Sequence, residues 1–337
     1  MIVEPSAANL DRAAELLRAG ELVGMPTETV YGLAADARSP QAVARIFAAK
    51  GRPADHPLIV HLPDVAQLGR WAREIPEHAW QLAETLWPGP LTLILRRTAD
   101  VPDAVTGGQD TVGLRIPQHP VALALLRRFG SGLAAPSANR FGRISPTTAA
   151  DVEEELGDRV ALILDGGPCT VGIESTILDL SRERPVILRP GAITAARIGE
   201  LIGVEPDLAA SPGARDESKA PRVSGSLAAH YAPRTPMRLC APAELVSAAR
   251  MLAGGGQPVS VLARTCADPC VAGVCWNPAP ETAEGFAHDL YANLRRLDRQ
   301  GAALILVEAP PAGDAWRAVG DRLARAETGS GAGSSGS

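Results

Sequence analysis

Long apolar runs are missing from this sequence. No stretch of about 18 uncharged apolar residues occurs, and that is the length a membrane-spanning helix needs. The first residues, MIVEPSAANLDRAAELL, form an amphipathic pattern with acids, which differs from the basic and apolar regions of a secretory signal. We therefore expect a cytoplasmic protein that neither crosses a membrane nor is exported.

Cysteine is scarce as well. The five cysteines are an odd number without paired CxxC spacing, a pattern that favours reduced thiols over a disulfide framework. Cys266, Cys270 and Cys275 lie close together in sequence, but no histidine or fourth cysteine follows at the spacing of a zinc ligand. A metal site at these three residues stays open as an alternative that the spacing disfavours.

The sequence also lacks an excess of positive charge. Its net charge is −5, with 20 basic and 25 acidic residues in positions 1–205 and 13 of each in positions 206–337. A protein that binds nucleic acid by neutralising many phosphates normally shows the opposite balance, although a local basic groove remains compatible with these numbers. At 337 residues and 46% hydrophobic content, the chain is long enough for two domains with their own cores.

Lysine is nearly absent, because Lys50 and Lys219 are the two lysines among 33 cationic residues. Lys50 and Gly51 end a predicted helix, and Arg52 follows directly. One interpretation is that Lys50 and Arg52 only complement the negative end of that helix. The other is that a compact ammonium has been kept here to contact phosphate oxygens in a crowded pocket.

The residues around Lys50 form one unit, which we interpret as a ligand site. Residues 22–25 predict a short strand, and the PTET that follows places hydroxyl groups at its carboxyl end, where open α/β sheets bind ligands. A helix starts at Ser39 and Pro40, and residues 57–61 predict a second strand that ends in His61. The order strand, helix, strand predicts a βαβ-like unit.

Further candidates follow along the chain. Arg115 stands in an apolar strand at residues 112–117, so it either pairs with an acid on a solvated face or meets an anionic ligand in a cleft. Ser137 lies in PSAN, whose small residues allow close approach to a ligand, although taken alone an ordinary turn explains them better. Ser145 begins SPTT, which predicts a helix cap and, equally, a phosphate site.

The remaining pattern predicts two domains. Helices are expected at residues 8–19, 64–73, 76–87, 120–129 and 194–202, strands at 91–95, 133–135 and 161–164, and a hairpin at 172–191. Residues 237–326 alternate strand and helix, which predicts a small parallel α/β domain. Between the domains lies a linker, residues 205–236, in which Tyr231 is an aromatic residue that needs a packing partner. Residues 327–337 are expected to be a disordered tail.

Five motifs of this chain resemble one family. PTETVYGL, KGRPADHPLIVH, APSANRFGRISPT and GIESTILD are similar to the YrdC-like family, and the length and the HYAP segment resemble its long two-domain form, the threonylcarbamoyl-AMP synthases. The resemblance implies an α/β fold: residues 1–204 as a YrdC-like twisted mixed sheet with flanking helices and a concave site, then a smaller parallel, Rossmann-like domain. It implies an enzyme, a nucleotidyltransferase that converts L-threonine, bicarbonate and ATP to threonylcarbamoyl-AMP and diphosphate.

The resemblance also implies roles for single residues. Lys50 and Arg52 are expected to be catalytic. The residues expected to bind L-threonine are Thr29, His61, Arg115, Ala135 and Ser175, and those expected to bind ATP are Lys50, Arg52, His56, Thr111, Ser137, Ser145, Arg189 and Tyr231. His56 stands where the family often has Asn, so an imidazole replaces the amide or the contact is lost. Mg²⁺ is expected to arrive with ATP, without protein side chains as its ligands.

The implied product is the first intermediate of threonylcarbamoyladenosine formation in tRNA. The expected partners are therefore downstream threonylcarbamoyl-transfer proteins, with tRNA involved only indirectly and no membrane. Two rival classes of protein remain: a module that binds structured RNA, and a carbamoyltransferase that makes a carbamoyl-adenylate from carbamoyl phosphate. Such a carbamoyltransferase is expected to carry zinc-finger and acylphosphatase modules, which this sequence does not show, and an RNA module has no use for a threonine pocket.

Overall fold

The computed structural model describes residues 1–209 and 221–331. Within these ranges the chain divides into two compact units, one formed by Met1–Phe141 and Ser145–Ser226, the other by Gly142–Ile144 and the chain from residue 227 on. No helix in the described part is both long and apolar enough to cross a bilayer.

The first unit contains seven α-helices and eleven strands in its described part. The helices are α1 (Ala7–Arg18), α2 (Pro40–Lys50), α3 (Glu77–Leu86), α4 (Asp103–Thr106), α5 (Pro120–Phe129), α6 (Ala149–Leu156) and α7 (Ala195–Ile202). The strands are β1 (Ile2–Val3), β2 (Val23–Met25), β3 (Gly32–Asp36), β4 (Ile59–His61), β5 (Leu91–Arg96), β6 (Thr111–Arg115), β7 (Leu133–Ala134), β8 (Leu162–Leu164), β9 (Thr176–Asp179), β10 (Val186–Arg189) and β11 (Asp207–Leu208).

These strands form one mixed sheet in the order β1-β8-β2-β3-β7-β4-β6-β5-β9-β10-β11. Strand β4 runs parallel to β6 and antiparallel to β7, while β5 runs antiparallel to β6 and parallel to β9. Almost every central strand is buried on both faces, and the helices cover it with two apolar clusters. The expected twisted mixed sheet with flanking helices is confirmed.

The βαβ-like unit starts one strand later than predicted. Strand β2 forms an antiparallel pair with β3, and it is β3 that leads through α2 to β4. Strand β3 has the sequence GLAAD and is buried nearly throughout, so it lacks the polar and apolar alternation that identifies a half-exposed strand. Helix α2 agrees with the prediction: Ser39 caps its start, and Gly51 at φ 62° ends it.

Two local predictions need correction. The helix cap predicted in SPTT is confirmed, but it lies at Thr148 and not at Ser145, because Thr148 accepts from the amide of Asp151 and the Asp151 carboxylate accepts from the amide of Thr148. A cap at Thr148, three residues closer to the acids, satisfies both partners of a capping box. The helix expected at 64–73 is a 3₁₀ helix at Val65–Arg70, since apolar residues spaced by three also suit a helix of three residues per turn.

The second unit holds β12 (Met237–Cys240), α8 (Pro242–Gly254), β13 (Val259–Ala263), β14 (Val274–Pro278), α9 (Ala283–Asp298), β15 (Leu304–Glu308) and α10 (Arg317–Ser330). Its strands are all parallel, in the order β12-β15-β13-β14, which confirms a small Rossmann-like domain. Edge strand β14 was not predicted, because its sequence VCWNP mixes apolar, polar and proline residues.

The predicted tail and linker need correction. Helix α10 continues to Ser330 instead of ending near residue 326, because Glu327 and Ser330 accept from the backbone amides of Leu239 and Met237. In the linker, β11 pairs with β10, residues 221–226 belong to the first unit, and residues 227–236 belong to the second. Residues 210–220, and 332–337 of the tail, lie outside the described residues.

Candidate functional site

Arg115 at the end of β6 is buried, with 4% of its surface exposed, and is paired inside the protein. Its Nη2 donates to Oε1 of Glu28 at 2.6 Å, Nη1 to Oγ1 of Thr29 at 2.9 Å and Nε to the carbonyl of Gly89 at 3.2 Å. The other carboxylate oxygen of Glu28 accepts from the amide of Gln118. The sequence left two alternatives for this arginine, an acid partner on a solvated face or an anionic ligand in a cleft. The structure shows an acid partner, Glu28, at a buried position.

His61 lies next to Arg115, because β4 and β6 pair these two residues in register. Its side chain is 3% exposed, and burial, followed by the charge of Arg115, lowers its pKa to about 3. The ring is therefore neutral near pH 7. Its Nδ1 is buried and has no hydrogen-bond partner among the described residues. A buried ring nitrogen without a partner marks a place where a ligand group can bind.

Lys50 is almost fully buried as well, at 4% exposure. Its Nζ donates to the backbone carbonyls of Ser137 at 2.6 Å and Asn139 at 2.5 Å. Burial, followed by the nearby charge of Arg52, holds the pKa of this ammonium well below its ordinary value. An ammonium has three N–H groups, so these two contacts leave one for a ligand. Ser137 contributes its carbonyl to this arrangement, whereas the sequence pointed to its hydroxyl.

Arg52 and Arg189 are joined by one residue that the sequence did not indicate. Ser224 accepts from Nη2 of Arg52 through its hydroxyl at 3.1 Å and from Nη1 of Arg189 through its carbonyl at 3.0 Å. The Ser224 hydroxyl itself donates to the carbonyl of Pro57. Two arginines expected at ATP are thus held together by a segment of the chain's own linker.

That segment, residues 221–226, is here called the strap. Gln109 fixes it by two hydrogen bonds, accepting from the amide of Arg222 at 2.7 Å and donating to its carbonyl at 3.1 Å. Val223 packs against Ile94 and Ile177. Together with β4 and β6, the strap lines a small pocket whose wall includes Thr111, one of the residues expected at ATP.

Ser175 and Ser145 each pair with a buried side chain. The hydroxyl of Ser175 lies 2.7 Å from that of Thr92, and Nη2 of Arg189 donates to both the hydroxyl and the carbonyl of Ser175. The hydroxyl of Ser145 donates to Oε1 of Glu174 at 2.6 Å. The Ser145 hydroxyl therefore binds the side chain of Glu174, whereas the sequence suggested that it caps a helix.

The other expected residues occupy varied surroundings. Ala135 is buried, and its amide donates to the carbonyl of Ile59. His56 is half-buried against the edge of Phe141, with ring centroids 5.5 Å apart, and burial followed by Arg52 lowers its pKa. A neutral imidazole at His56 keeps both a donor and an acceptor, so it can replace an amide.

Tyr231 belongs to the second unit, where it is 1% exposed. Its ring lies 5.7 Å from that of Tyr291, and the guanidinium of Arg322 lies 5.2 Å from its centroid. Its backbone has φ 61°, and its amide donates to Nδ1 of His230. Tyr231 thus has the packing partners that its place in a polar linker called for, and its contact with ATP stays a prediction.

No group of three or more potential metal ligands occurs in the described ranges, which include Cys266, Cys270 and Cys275. The two buried glutamates of the site already contact protein groups, Glu28 with Arg115 and Glu174 with Ser145. That Mg²⁺ arrives with ATP, without protein side chains as its ligands, stays a prediction.

The structure brings Thr29, His61 and Arg115 into one buried group, and Arg52, Ser175 and Arg189 into a second. Four residues of the site were not predicted from the sequence: Glu28, Thr92, Glu174 and Ser224. Glu28 and Glu174 lie inside the PTET and GIEST motifs, so their place in a motif could have identified them as candidates. Thr92 and Ser224 sit in stretches where nothing in the sequence separates them from other hydroxyl residues.

Two family models match this chain. The Sua5, yciO and yrdC family model, described as "Telomere recombination", matches residues 15–191. A model described as "Threonylcarbamoyl-AMP synthase, C-terminal domain" matches residues 193–328.

Individual relatives cover nearly the whole chain. The threonylcarbamoyl-AMP synthase of Bacillus subtilis is 41% identical over 329 residues, which span 94% of this chain and 92% of the relative. That of Pyrococcus abyssi is 40% identical over 324 residues, 93% of this chain and 92% of the relative. The crystal structure of P. abyssi Sua5 complexed with L-threonine has a TM-score of 0.90 and 37% identity, covering 98% of both chains. The two family models and these full-length relatives show that the chain belongs to the threonylcarbamoyl-AMP synthase family.

Proposed function

We propose that this protein is an L-threonylcarbamoyladenylate synthase, a nucleotidyltransferase that makes threonylcarbamoyl-AMP and diphosphate from L-threonine, bicarbonate and ATP. The observation that carries the proposal is the buried group around Arg115. Three of the five N–H groups of this arginine contact protein atoms in the described structure, which leaves two for a substrate carboxylate. The P. abyssi relative, solved with L-threonine, supports an amino acid as that substrate.

The threonine side of the site offers groups of complementary chemistry. Arg115 provides positive charge for the carboxylate, and the neutral ring of His61 provides a buried polar atom for a substrate donor or acceptor. Ser175, held by Thr92 and Arg189, adds a hydroxyl. We place L-threonine at Thr29, His61, Arg115, Ala135 and Ser175.

The nucleotide side is cationic. Arg52 and Arg189 supply guanidinium groups that a triphosphate can take over from Ser224, and the remaining N–H of Lys50 adds a donor. Mg²⁺ arrives with ATP as part of the substrate and offsets charge on its phosphates. We place ATP at Lys50, Arg52, His56, Thr111, Ser137, Ser145 and Arg189, and we propose a contact from Tyr231.

The reaction requires charge control more than covalent help. The uncharged amine of threonine combines with bicarbonate, releases water and becomes a carbamate. A carbamate oxygen then attacks the α-phosphorus of ATP, the bond to the bridging oxygen breaks, and diphosphate leaves with the electron pair. Lys50, Arg52 and Arg189 can neutralise charge on the phosphates while the two anions are held in line. The adenylate is the activated form from which later steps transfer the threonylcarbamoyl group to tRNA, with AMP as the leaving group.

The setting of the activity follows from this chemistry. We propose that the protein works in the cytoplasm, where ATP and tRNA are present. Its product goes to proteins that transfer the threonylcarbamoyl group, so tRNA is a partner only through them.

The test is diphosphate release from ATP, with L-threonine, bicarbonate and Mg²⁺ all present or omitted one at a time. We expect release only with the complete mixture, and a much lower rate when L-serine replaces L-threonine. Release that continues without bicarbonate, or an equal rate with serine, contradicts the proposal.

A further inference from the structure

Thr27 is a buried residue that no part of the proposed reaction uses. It is 2% exposed and lies two positions before Thr29 in the PTET motif. Its Oγ1 lies 2.6 Å from the carbonyl oxygen of Val30 and 2.9 Å from Oγ1 of Thr29. The amides of Thr29 and Val30 donate to the same hydroxyl oxygen at 3.2 Å.

These contacts fix the direction of the hydrogen bonds. A carbonyl oxygen carries no hydrogen, and two oxygens 2.6 Å apart attract only when a hydrogen lies between them. The hydrogen between Thr27 and Val30 must therefore be that of the Thr27 hydroxyl. Since a hydroxyl has one hydrogen, the bond between the two threonines uses the hydrogen of Thr29 and one lone pair of Thr27, and the two longer amide contacts at 3.2 Å share the other lone pair.

The hydroxyl of Thr29 then makes two hydrogen bonds within the protein. Its hydrogen goes to Thr27, and one of its lone pairs accepts from Nη1 of Arg115 at 2.9 Å. What remains of its hydroxyl is a single lone pair, so toward a ligand Thr29 acts as an acceptor. The acceptor sits directly beside the guanidinium that is proposed to bind a carboxylate.

We infer that Thr27 is a positioning residue that holds Thr29 as a hydrogen-bond acceptor for the α-amino group of the amino-acid substrate. The inference rests on the proposed function. In an α-amino acid the amine is one carbon away from the carboxylate, so a group next to Arg115 meets the amine. An acceptor at Thr29 takes one N–H of the amine and leaves the nitrogen lone pair free to attack carbon. A donor at the same place would bind that lone pair and suppress carbamate formation.

The test compares two ligands in variants of Thr27. L-Threonine carries the amine, and 3-hydroxybutanoate has the same carboxylate and hydroxyl without it. In Thr27→Val, the Thr29 hydrogen loses its acceptor and can turn toward the ligand. We expect the dissociation constant of threonine to rise about 10- to 100-fold, the size of one charge-assisted hydrogen bond, and that of 3-hydroxybutanoate to stay within about twofold. Thr27→Ser keeps the hydroxyl and is expected to match the wild type.

Two further variants and a second ligand serve as controls. Thr85→Val is the matched control, because Thr85 is exposed on α3 and its hydroxyl also donates to a backbone carbonyl, that of Gln81. ATP affinity is expected to be unchanged in every variant. If Thr27→Val does not fold, Thr27→Cys provides the same comparison with a side chain of similar size and a weaker acceptor.

Equal weakening of both ligands, or no weakening of threonine, overturns the inference. Failure of the proposed function is recognised separately, because the wild-type protein would then release diphosphate without any dependence on threonine.

Discussion

At the scale of single residues, the site is built on polar groups that are buried and mostly satisfied by the protein itself. Arg115 contacts a carboxylate, a hydroxyl and a carbonyl before any substrate arrives. Such contacts fix the orientation of the guanidinium, so the substrate does not have to order a flexible side chain. Truncating Arg115 therefore removes the charged partner of the buried Glu28 and leaves that carboxylate with the amide of Gln118.

Arg115→Lys tests the role of that fixed guanidinium. Lysine keeps the charge but has fewer N–H groups and no planar fork, so it cannot hold Glu28, Thr29 and Gly89 and bind a carboxylate as well. We expect threonine affinity to fall at least about tenfold, the effect of losing one charged hydrogen bond. Calorimetry is expected to give an almost unchanged ATP affinity, and a collapse of ATP binding would show that Arg115 serves the nucleotide instead.

His61 links the site to pH. Its folded-state pKa of about 3 lies below the usual value of about 6.5, so the unfolded chain binds a proton in the range between them and the folded chain does not. The contribution of this residue to stability is present above about pH 6.5 and is lost as the pH falls toward 3.

We expect this group alone to reduce the free energy of unfolding by about 2 kcal/mol between pH 7 and pH 5. His61→Gln removes the ionisable ring, so its unfolding free energy should fall less over the same interval. Denaturant titration at the two pH values measures the difference, with exposed His288→Gln as the control. An equal fall in the wild type and His61→Gln would contradict the assignment.

At the scale of helices and strands, the sequence predicted the features that depend on residues close together in the chain. Helix α2 was placed correctly because Ser39 and Gly51 mark its ends by their own backbone preferences. Strand β3 was missed because it is covered on both faces, so its burial is set by residues far away in sequence. The contact of Ser145 with Glu174 was not predicted for a similar reason, because the two residues are 29 positions apart in the sequence.

The strap shows that contacts between distant stretches of the site could not be predicted from the sequence either. The linker composition indicated a connection without regular structure, and nothing in it pointed to Ser224 lying between Arg52 and Arg189. Long-range pairing of this kind depends on the folded arrangement of three separate stretches. The residues within motifs were therefore recognisable as one group, while Ser224, which contacts two of them, was not.

Gln109→Ala loosens the strap at its anchor, and outside the strap it removes one further hydrogen bond, to the carbonyl of Thr106. It removes both hydrogen bonds to Arg222, and a segment held by fewer bonds shields the site less well from water. We expect the yield of threonylcarbamoyl-AMP per diphosphate released to fall by about half or more, because more of the reactive adenylate hydrolyses.

Chromatography of the labelled nucleotide measures that yield. Gln81→Ala is the control, since Gln81 is a glutamine that likewise donates to a backbone carbonyl, that of Leu201. An unchanged yield in Gln109→Ala would mean that the strap does not shield the adenylate.

At the scale of the whole molecule, each unit has its own sheet and core, and the linker contributes to both. The first unit carries every proposed site residue except Tyr231. In the second unit Tyr231 packs against Tyr291 and Arg322, so Tyr231→Ala is expected to cost about 3–5 kcal/mol of stability there, as large aromatic truncations do. Tyr231 is therefore a poor probe of ligand contacts, and chain length is the better variable.

Two shortened chains separate the strap from the second unit. A chain ending at residue 209 keeps the complete sheet through β11, so it is expected to melt cooperatively, but it lacks the bonds that Ser224 makes to Arg52 and Arg189. A chain ending at residue 226 keeps the strap with its anchor at Gln109. We expect adenylate yield per diphosphate to drop sharply at 209 and to recover in part at 226, because a covered site protects the product from water. The remaining difference between 226 and the full chain then measures what the second unit adds. If the chain ending at 209 matches the full-length protein, the linker only tethers the two units, and protection of the adenylate must come from the sheet and its loops alone.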